Sequence, residues 1–325
     1  MSGTKRALIT GISGQDGSYL AELLLSKGYE VWGLLRRHSV PENQTNRLEE
    51  VGIKKDLNLI YGDITDLPSL LYVLKESKPD EIYNLAAQSH VRISFDQPAF
   101  TTHADAEGVL NLLEAARIMC PEVRIYQAGS SEMFGNECDK DGYRRETTLM
   151  RPVSPYGCAK LYAFNLCRTY RTSYNMFISN GILFNHESPR RGLNFVSNKV
   201  VDGVVKISRQ EQDTLPLGNL EATRDWGHAK DYVRAMWMIL QHDKPDDFVC
   251  ATGESHSVRE LCEEVFAELD LDYLDHVTVD HKYFRPTELD DLKGDCTKLR
   301  EVLGWEPTYT FRSMLEEMIK YRLEK

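Results

Sequence analysis

The chain has 325 residues, of which 42% are hydrophobic and 27% are charged, so its composition is that of an ordinary folded protein. Its net charge of −11 argues against sequence-independent nucleic-acid binding, which depends on neutralising phosphates. No apolar run is long enough to span a bilayer, and the apolar stretch at the N-terminus is too short for a signal peptide. The seven cysteines include no CxxC pair, which predicts reduced thiols in the cytoplasm and no metal site.

The first half of the chain alternates strand and helix signals. Short apolar runs are typical of buried strands, and apolar residues three or four apart are typical of helices packed on a sheet. Strands are predicted at 5–11, 29–35, 57–63, 81–87, 123–130 and 176–185, and helices at 18–28, 67–77, about 101–119 and 154–174. This alternation predicts an α/β fold with a doubly wound parallel sheet of the Rossmann type.

The alternation of strands and helices ends after residue 185, where HESPRRGLNF has the apolar spacing of neither a strand nor a helix. Further on, we predict a helix over 196–208, a strand at 248–253 and a helix over 258–269 that Ser257 caps. We therefore expect a cofactor-binding domain over residues 1–185, to which the chain returns around 225–252. A smaller C-terminal region over 186–325 is expected to bind mainly the substrate.

The stretch GISGQDG, residues 11–17, lies between the first strand and the first helix. Its glycines allow a tight turn and close backbone approach, so that amide N–H groups and the helix N-terminus can hold a pyrophosphate. We therefore predict that a dinucleotide binds at Gly11, Gly14, Gln15, Asp16 and Gly17.

The end of the second strand indicates which dinucleotide binds. NAD enzymes usually carry an acidic residue there for the ribose 2′-hydroxyl, but Arg36 and Arg37 take that place here, with Ser39 nearby. Two guanidiniums suit a 2′-phosphate, which predicts NADP. The alternative is a solvated pair of surface arginines.

Two further strand ends fit the same cofactor. Asp63 and Ile64 end the third strand, where an adenine could lie. Small side chains after the fourth strand would let the cofactor pass close to the backbone. The predicted contacts there are Leu85, Ala86, Ala87, Gln88 and Ser89.

Tyr156 and Lys160 are four residues apart on a predicted helix and so share one face. A lysine ammonium beside a tyrosine lowers the pKa of the phenol. The tyrosine can then take a proton from a substrate hydroxyl while hydride leaves the same carbon. The hydroxyl of Ser130, at the end of the fifth strand, would hold the substrate oxygen in place.

Glu132 adds a group that a simple dehydrogenase does not need. Hydride removal makes a ketone, which acidifies the neighbouring C–H bond. A carboxylate there can remove that proton and drive the loss of a β-hydroxyl as water, after which the hydride returns to the alkene. Ser-x-Glu ahead of Tyr-x-x-x-Lys therefore predicts oxidation, elimination and reduction with the cofactor recycled, unless Glu132 is only a surface residue near the site.

From about Ala7 to Trp305, the chain resembles the extended short-chain dehydrogenase/reductase superfamily and, within it, the GDP-mannose 4,6-dehydratase family. NHESPRRG and RDWGHAKDYVRAMW are especially specific to that family. The other motifs that carry the resemblance are GISGQDGSYLAELLLSKGYEV, YNLAAQSHV, SSEMFG, SPYGCAKLYA, YFRPTE and LGW.

The resemblance implies that GDP-mannose is converted to GDP-4-keto-6-deoxymannose on tightly held NADP. It implies catalytic roles for Ser130, Glu132, Tyr156 and Lys160, and a homodimer or homotetramer that binds neither nucleic acid nor membranes. It adds Tyr156, Lys160, His186 and Arg191 to the cofactor site, and it places the nucleotide sugar on Asn185, Lys199, Arg224, Arg285 and Glu288.

Several positions depart from the family pattern. Ser130 stands where the family has a threonine, Phe100 where it has a tyrosine, and Asn198 where it has an arginine. The segment TTLMRPV (147–153) is also unusual. These changes keep the reaction type but leave open a related GDP-sugar, such as a GDP-manno-heptose. The unusual loop SVPENQTN (39–46), which in relatives can reach a neighbouring subunit, leaves dimer versus tetramer open.

Two other classes of function stay open. A 4-keto-sugar reductase or an epimerase on this scaffold needs no carboxylate beside the serine, so Glu132 argues against it. A non-catalytic nucleotide sensor would typically lose Tyr156 or Lys160, and both are present.

Overall fold

The structure, a computed structural model, describes residues 3–39, 44–284 and 286–325. Strands and helices alternate through the first half of the chain, as the hydrophobic pattern predicts. They are Arg6–Thr10 (β1), Gln15–Ser26 (α1), Glu30–Leu35 (β2), Asn46–Glu50 (α2), Asn58–Tyr61 (β3), Leu67–Ser77 (α3), Glu81–Asn84 (β4), Val91–Asp96 (α4), Pro98–Thr102 (α5), Gly108–Met119 (α6), Arg124–Ala128 (β5), Pro155–Tyr174 (α7) and Ile178–Leu183 (β6).

The second half has shorter strands and a less regular order. Its elements are Asn185–Glu187 (β7), Val196–Ser208 (α8), Leu215–Leu217 (β8), Thr223–Arg224 (β9), Trp226–His228 (β10), Ala229–Gln241 (α9), Asp247–Cys250 (β11), His256–Ser257 (β12), Val258–Ala267 (α10), Tyr273–His276 (α11), Val277–Val279 (β13), Asp291–Leu292 (β14), Thr297–Leu303 (α12) and Phe311–Leu323 (α13).

Seven strands form one parallel sheet in the order β11-β6-β5-β4-β1-β2-β3. Successive side chains of a strand point to opposite faces, so Leu8 and Ile9 enter two different apolar cores. Helices α1 and α9 cover one core, while α3, α6 and α7 cover the other. The predicted doubly wound α/β fold is confirmed.

The strand order reverses between β1 and β4, and the helices that next pack on the sheet after these two strands, α1 and α6, cover opposite faces. Such a point opens a crevice at the carboxyl edge of a parallel sheet. Thr10 at the end of β1 pairs with Asn84 at the end of β4. Its hydroxyl accepts hydrogen bonds from the backbone N–H groups of Leu85 and Ala86, each at 3.0 Å, which fixes the loop after β4 against the loop after β1.

A third apolar core lies outside the sheet, between α8, α10 and α13. Helix α8 has the predicted bounds, and Ser257 caps α10 as expected, since its hydroxyl accepts a hydrogen bond from the backbone N–H of Glu260 at 3.0 Å. The strand at Asp247–Cys250 runs along the edge of the large sheet. The proposed division at residue 185 stays a prediction.

One predicted helix differs from the structure. The stretch expected as a single helix over 101–119 is divided into α5 and α6 by a π-helical turn over His103–Glu107. The wider turn places Asp105 in the interior, where its Oδ1 accepts the backbone N–H of Gln88 at 2.7 Å. The spacing of apolar residues in the sequence cannot reveal that one helical turn is wider by one residue. Such π turns are frequent at functional sites.

Among the residues that the structure describes, no helix combines the length and the apolar character needed to cross a membrane.

Candidate active site

A cavity of about 960 Å³ runs along the carboxyl edge of the sheet and into the C-terminal region. It is lined by almost every residue that the sequence singles out. These are Gly11, Gly14, Gln15, Asp16, Gly17, Arg36, Asp63, Ile64, Leu85, Ala86, Ala87, Gln88, Ser89, Ser130, Glu132, Tyr156, Lys160, Asn185, His186, Arg191, Lys199, Arg224 and Glu288.

Two predicted residues are not placed in the cavity. Arg37 is not part of the lining formed by the described residues, and its guanidinium lies 5.8 Å from the centre of the Tyr61 ring. Arg285 lies outside the described residues, as do residues 40–43 of the unusual loop. Arg36, by contrast, faces the cavity, where its guanidinium is 5.8 Å from the ring of Phe100.

The glycine-rich turn packs tightly against the start of α1. A Cβ atom on Gly17 would lie 2.3 Å from the carbonyl oxygen of Gly11, a separation that no side chain tolerates. The backbone N–H of Gly14 closes the turn on the same oxygen at 3.0 Å. The N-terminus of α1 is therefore held at the cavity wall, where its backbone N–H groups and positive dipole favour an anion.

Asp16 and His186 join the glycine-rich turn to the end of the sheet. The imidazole Nε2 lies 2.8 Å from a carboxylate oxygen of Asp16, and Nδ1 lies 2.8 Å from the carbonyl oxygen of Phe184. Burial opposes both charges, but each charge favours the other, so the pKa of Asp16 is lowered and the pKa of His186 is raised. Gln15 adds a hydrogen bond from its Nε2 to the carbonyl oxygen of His186 at 3.1 Å.

Ser130, Tyr156 and Lys160 line the cavity together, each at most 8% exposed. The ammonium of Lys160 donates to the carbonyl oxygen of Ala128 at 3.0 Å and lies 5.7 Å from the centre of the Tyr156 ring. Burial raises the pKa of Tyr156, as does the charge of Asp105, while a hydrogen bond with Ser130 lowers it. The pKa of Tyr156 is thus raised and not lowered as the sequence predicts, so the phenolate that takes a proton from a bound hydroxyl would need the positive charge of a bound nicotinamide beside it.

Glu132 faces the same cavity from a 3₁₀ turn over Ser131–Met133. Its backbone N–H donates to the Ser130 hydroxyl at 3.2 Å, which holds that hydroxyl against the turn. Gly157 lets α7 dock on this turn, because a Cβ atom there would lie 2.7 Å from the carbonyl oxygen of Glu132. The helix that carries Tyr156 thereby approaches the turn that carries the carboxylate.

The other end of the cavity carries the residues expected to bind the nucleotide sugar. Lys199 donates to the carbonyl oxygen of Pro216 at 2.6 Å, and its ammonium lies 3.5 Å from the centre of the Tyr283 ring. Arg224 is buried and donates to the carbonyl oxygen of Leu289 at 3.0 Å. These two cations give this end of the cavity a positive charge that suits a diphosphate.

Sequence reasoning missed Arg47, which lines the cavity beside the glycine-rich turn. Its guanidinium donates to the carbonyl oxygens of Arg190 at 2.8 Å and Ser13 at 3.2 Å. No local pattern marks it, since it lies on the short helix α2 that follows a loop. Conversely, none of the described residues 147–153 lines the cavity, so the unusual segment TTLMRPV does not shape it.

Comparison with known proteins adds independent findings to this geometry. The family model described as GDP-mannose 4,6 dehydratase matches residues 8–318. GDP-mannose 4,6 dehydratase of Homo sapiens is 48% identical to this chain, over 98% of the chain and 91% of the human protein.

Two solved structures share the fold at lower sequence identity. The dTDP-glucose 4,6-dehydratase of Bacillus anthracis, in complex with NAD, has a TM-score of 0.84 at 21% identity and covers 99% of this chain and 97% of its own. RMD from Pseudomonas aeruginosa, complexed with NADPH, has a TM-score of 0.81 at 21% identity and covers 99% of this chain and 100% of its own. The family match and the human relative together show that this chain belongs to the GDP-mannose 4,6-dehydratase family.

Proposed function

We propose that this chain converts GDP-mannose to GDP-4-keto-6-deoxymannose with NADP as a recycled cofactor. The observation that carries the proposal is that Glu132 faces the same cavity as Ser130, Tyr156 and Lys160. A reductase or an epimerase needs the last three groups only. A carboxylate beside them supplies the base that an elimination requires.

The first step assigned to the chain is proton removal from the sugar. The Ser130 hydroxyl holds the oxygen on carbon 4, and the phenolate of Tyr156 takes its proton as hydride leaves that carbon. The ammonium of Lys160 stabilises the phenolate. When bound, the nicotinamide accepts this hydride and later returns it to carbon 6.

The second step is water loss. The ketone at carbon 4 acidifies the hydrogen on carbon 5, and the carboxylate of Glu132 removes that proton. The hydroxyl on carbon 6 then leaves as water with the proton that Glu132 holds. The product needs one proton at carbon 5, which the phenol of Tyr156 can supply, so protons and electrons balance without net reduction of the cofactor.

The residues present fit a nicotinamide dinucleotide. The tight turn that Gly17 allows, the N-terminus of α1 and His186, whose pKa is raised, favour a pyrophosphate. The two similar structures named above contain NAD or NADPH. Arg36, at the end of β2 where an NAD site would carry an acid, supports NADP for this chain.

Removal of Arg36 should weaken NADP but not NAD. A guanidinium bonded to a phosphate contributes about 2 kcal/mol, so Arg36→Ala should raise the dissociation constant of NADP about 30-fold. The matched control is Arg37→Ala, because Arg37 points toward Tyr61, and it should change the constant less than about threefold. The affinities are measured by calorimetric titration of the folded variants. The assignment of Arg36 to the 2′-phosphate would be refuted if Arg36→Ala weakened NADP and NAD equally, or if both variants weakened NADP equally.

The substrate is tested by incubating the purified protein and NADP with GDP-mannose and, separately, with a GDP-manno-heptose. Mass spectrometry should show that GDP-mannose loses one water while no NADPH builds up. Loss only from the heptose would keep the mechanism and change the substrate. No loss from either sugar, with NADP bound to the folded protein, would favour the reductase, epimerase or sensor alternatives.

Location and assembly are also proposals. We propose a cytoplasmic protein, since the seven cysteines are free thiols. We propose a homodimer or homotetramer, since the large side chains of Ile118 on α6 and of Tyr162 and Tyr174 on α7 are about half exposed. Apolar side chains on neighbouring helices are what a second copy would cover. Light scattering of the purified protein measures the number of copies.

A further inference from the structure

Arg191 lines the cavity from a turn, residues 188–192, whose backbone is held by side chains of two other helices. The carbonyl oxygen of Arg190 accepts a hydrogen bond from the guanidinium of Arg47 on α2 at 2.8 Å. The carbonyl oxygen of Arg191 accepts one from Nδ2 of Asn198 on α8 at 2.5 Å. Two successive carbonyl groups are thus fixed from outside the turn, and they set the direction in which the Arg191 side chain leaves it.

The side chain of Arg191 is also held by contacts. Its Nε lies 3.0 Å from a carboxylate oxygen of Glu187, which is itself buried. Its guanidinium lies 3.5 Å from the centre of the Phe195 ring, and an aromatic face attracts a cation. The guanidinium lines the cavity together with Asp16 and His186, where the pyrophosphate is expected. Displacement of the turn would therefore carry a positive charge away from the expected cofactor.

Asn198 is buried in the first turn of α8 and is not part of the described cavity lining. Its Oδ1 accepts a hydrogen bond from the guanidinium of Arg322 on α13 at 3.3 Å. Because the oxygen of the amide faces this donor, the Nδ2 group faces the carbonyl oxygen of Arg191. The two ends of one buried amide thus join α13 to the turn that carries Arg191.

We propose that Asn198 is a positioning residue for cofactor binding, which acts through Arg191 by holding the backbone of the 188–192 turn. Arg322 acts in turn through Asn198, because it orients the amide. The affinity for the cofactor therefore depends on α13, a helix that contributes nothing to the described cavity lining. This inference rests on the proposed function in one respect, namely that Arg191 contacts the cofactor.

The first test compares two replacements of Asn198 that remove the donor in different ways. Asn198→Asp keeps the shape and the acceptor for Arg322 but cannot donate to Arg191. Asn198→Leu removes both hydrogen bonds and adds no charge. Each variant should raise the dissociation constant of NADP about fivefold, the usual effect of one lost hydrogen bond. NAD should weaken by the same factor, in contrast to the selective loss of NADP expected for Arg36→Ala.

Stability should not follow affinity in these two variants. The new carboxylate of Asn198→Asp forms an ion pair with Arg322 and lies in the first turn of a helix, where the helix dipole favours a negative charge. Its unfolding temperature should therefore stay closer to that of the unaltered protein than the unfolding temperature of Asn198→Leu does. Equal losses of NADP affinity at unequal unfolding temperatures are what a positioning role predicts and a merely structural role does not.

The matched control is Asn180→Leu. Asn180 is as buried as Asn198, its Nδ2 donates to Asp247 at 2.8 Å, and it is not part of the described cavity lining. Its replacement should lower the unfolding temperature and change the dissociation constant of NADP less than about twofold. The proposal would be overturned if the loss of NADP affinity followed the unfolding temperature across all three variants. A loss in Asn198→Asp alone would also overturn it, because the added charge would then explain the effect.

The second test asks whether Arg322 acts through Asn198. Arg322→Ala should raise the dissociation constant of NADP about threefold in the unaltered background and have no further effect in Asn198→Leu, where the amide is already gone. Arg312→Ala on the same helix removes an exposed ion pair with Glu268 and should leave NADP affinity unchanged. Additive losses in the double variant would overturn the role given to Arg322.

The unaltered protein separates this inference from the proposed function. If it bound NAD and not NADP, the proposed cofactor would be refuted, and the same variants titrated with NAD would still decide on Asn198. If it bound NADP and the Asn198 variants bound it equally well, only the positioning role would be refuted.

Discussion

Glu132→Gln is expected to stop water loss from GDP-mannose while the first hydride transfer continues. Glutamine has the same shape, so the 3₁₀ turn and its bond to the Ser130 hydroxyl can persist, but an amide cannot take the proton on carbon 5. A missing general base costs about 10²- to 10⁴-fold in rate. Because the hydride then has no alkene to return to, NADPH absorbance should rise toward one equivalent per site and remain.

The control for this variant is Glu137→Gln, which removes another carboxylate just after the same turn. Glu137 forms an ion pair with Arg151 at 2.9 Å and is not part of the described cavity lining, so its loss should leave turnover within about twofold. NADP affinity should be the same in both variants. Full turnover by Glu132→Gln would remove the elimination role from this residue and with it the main argument against a reductase.

The fold and the composition of the site could largely be predicted because strand ends are easy to locate. In a parallel sheet, the residues that follow each strand meet at one edge, so the loops after β1, β4 and β5 had to converge. The predicted positions 11–17, 85–89 and 130–132 do so. Helix pattern alone also placed Tyr156 and Lys160 on one face, and the cavity receives both.

Three features could not be predicted, each for a physical reason. Arg36 and Arg37 are consecutive at a strand end, where neighbouring side chains point in opposite directions, and only three-dimensional packing decides which one faces the cofactor. Arg47 reaches the cavity across a loop whose path no local pattern encodes. Asp105 occupies a helical stretch in which a charged residue would ordinarily be solvated, and only the widened turn carries it inside.

Tyr156→Phe is expected to block the reaction one step earlier than Glu132→Gln does. Without the phenol oxygen, the hydroxyl on carbon 4 has no base, so neither NADPH nor the dehydrated sugar should form, with a loss of about 10²- to 10⁴-fold. Tyr162→Phe is the matched control, since Tyr162 lies on the same helix, is 47% exposed and is not part of the described cavity lining. It should keep full activity.

Together, Glu132→Gln and Tyr156→Phe separate the oxidation step from the elimination step. NADPH that accumulates in Glu132→Gln and is absent in Tyr156→Phe would order them as oxidation first and elimination second. If Tyr156→Phe also accumulated NADPH, another group would be taking the proton on the oxygen of carbon 4. Ser130 is the neighbour that could then share it, because it lowers the pKa of Tyr156 and lines the same cavity, and the double variant with Ser130→Ala would show whether that residual activity disappears.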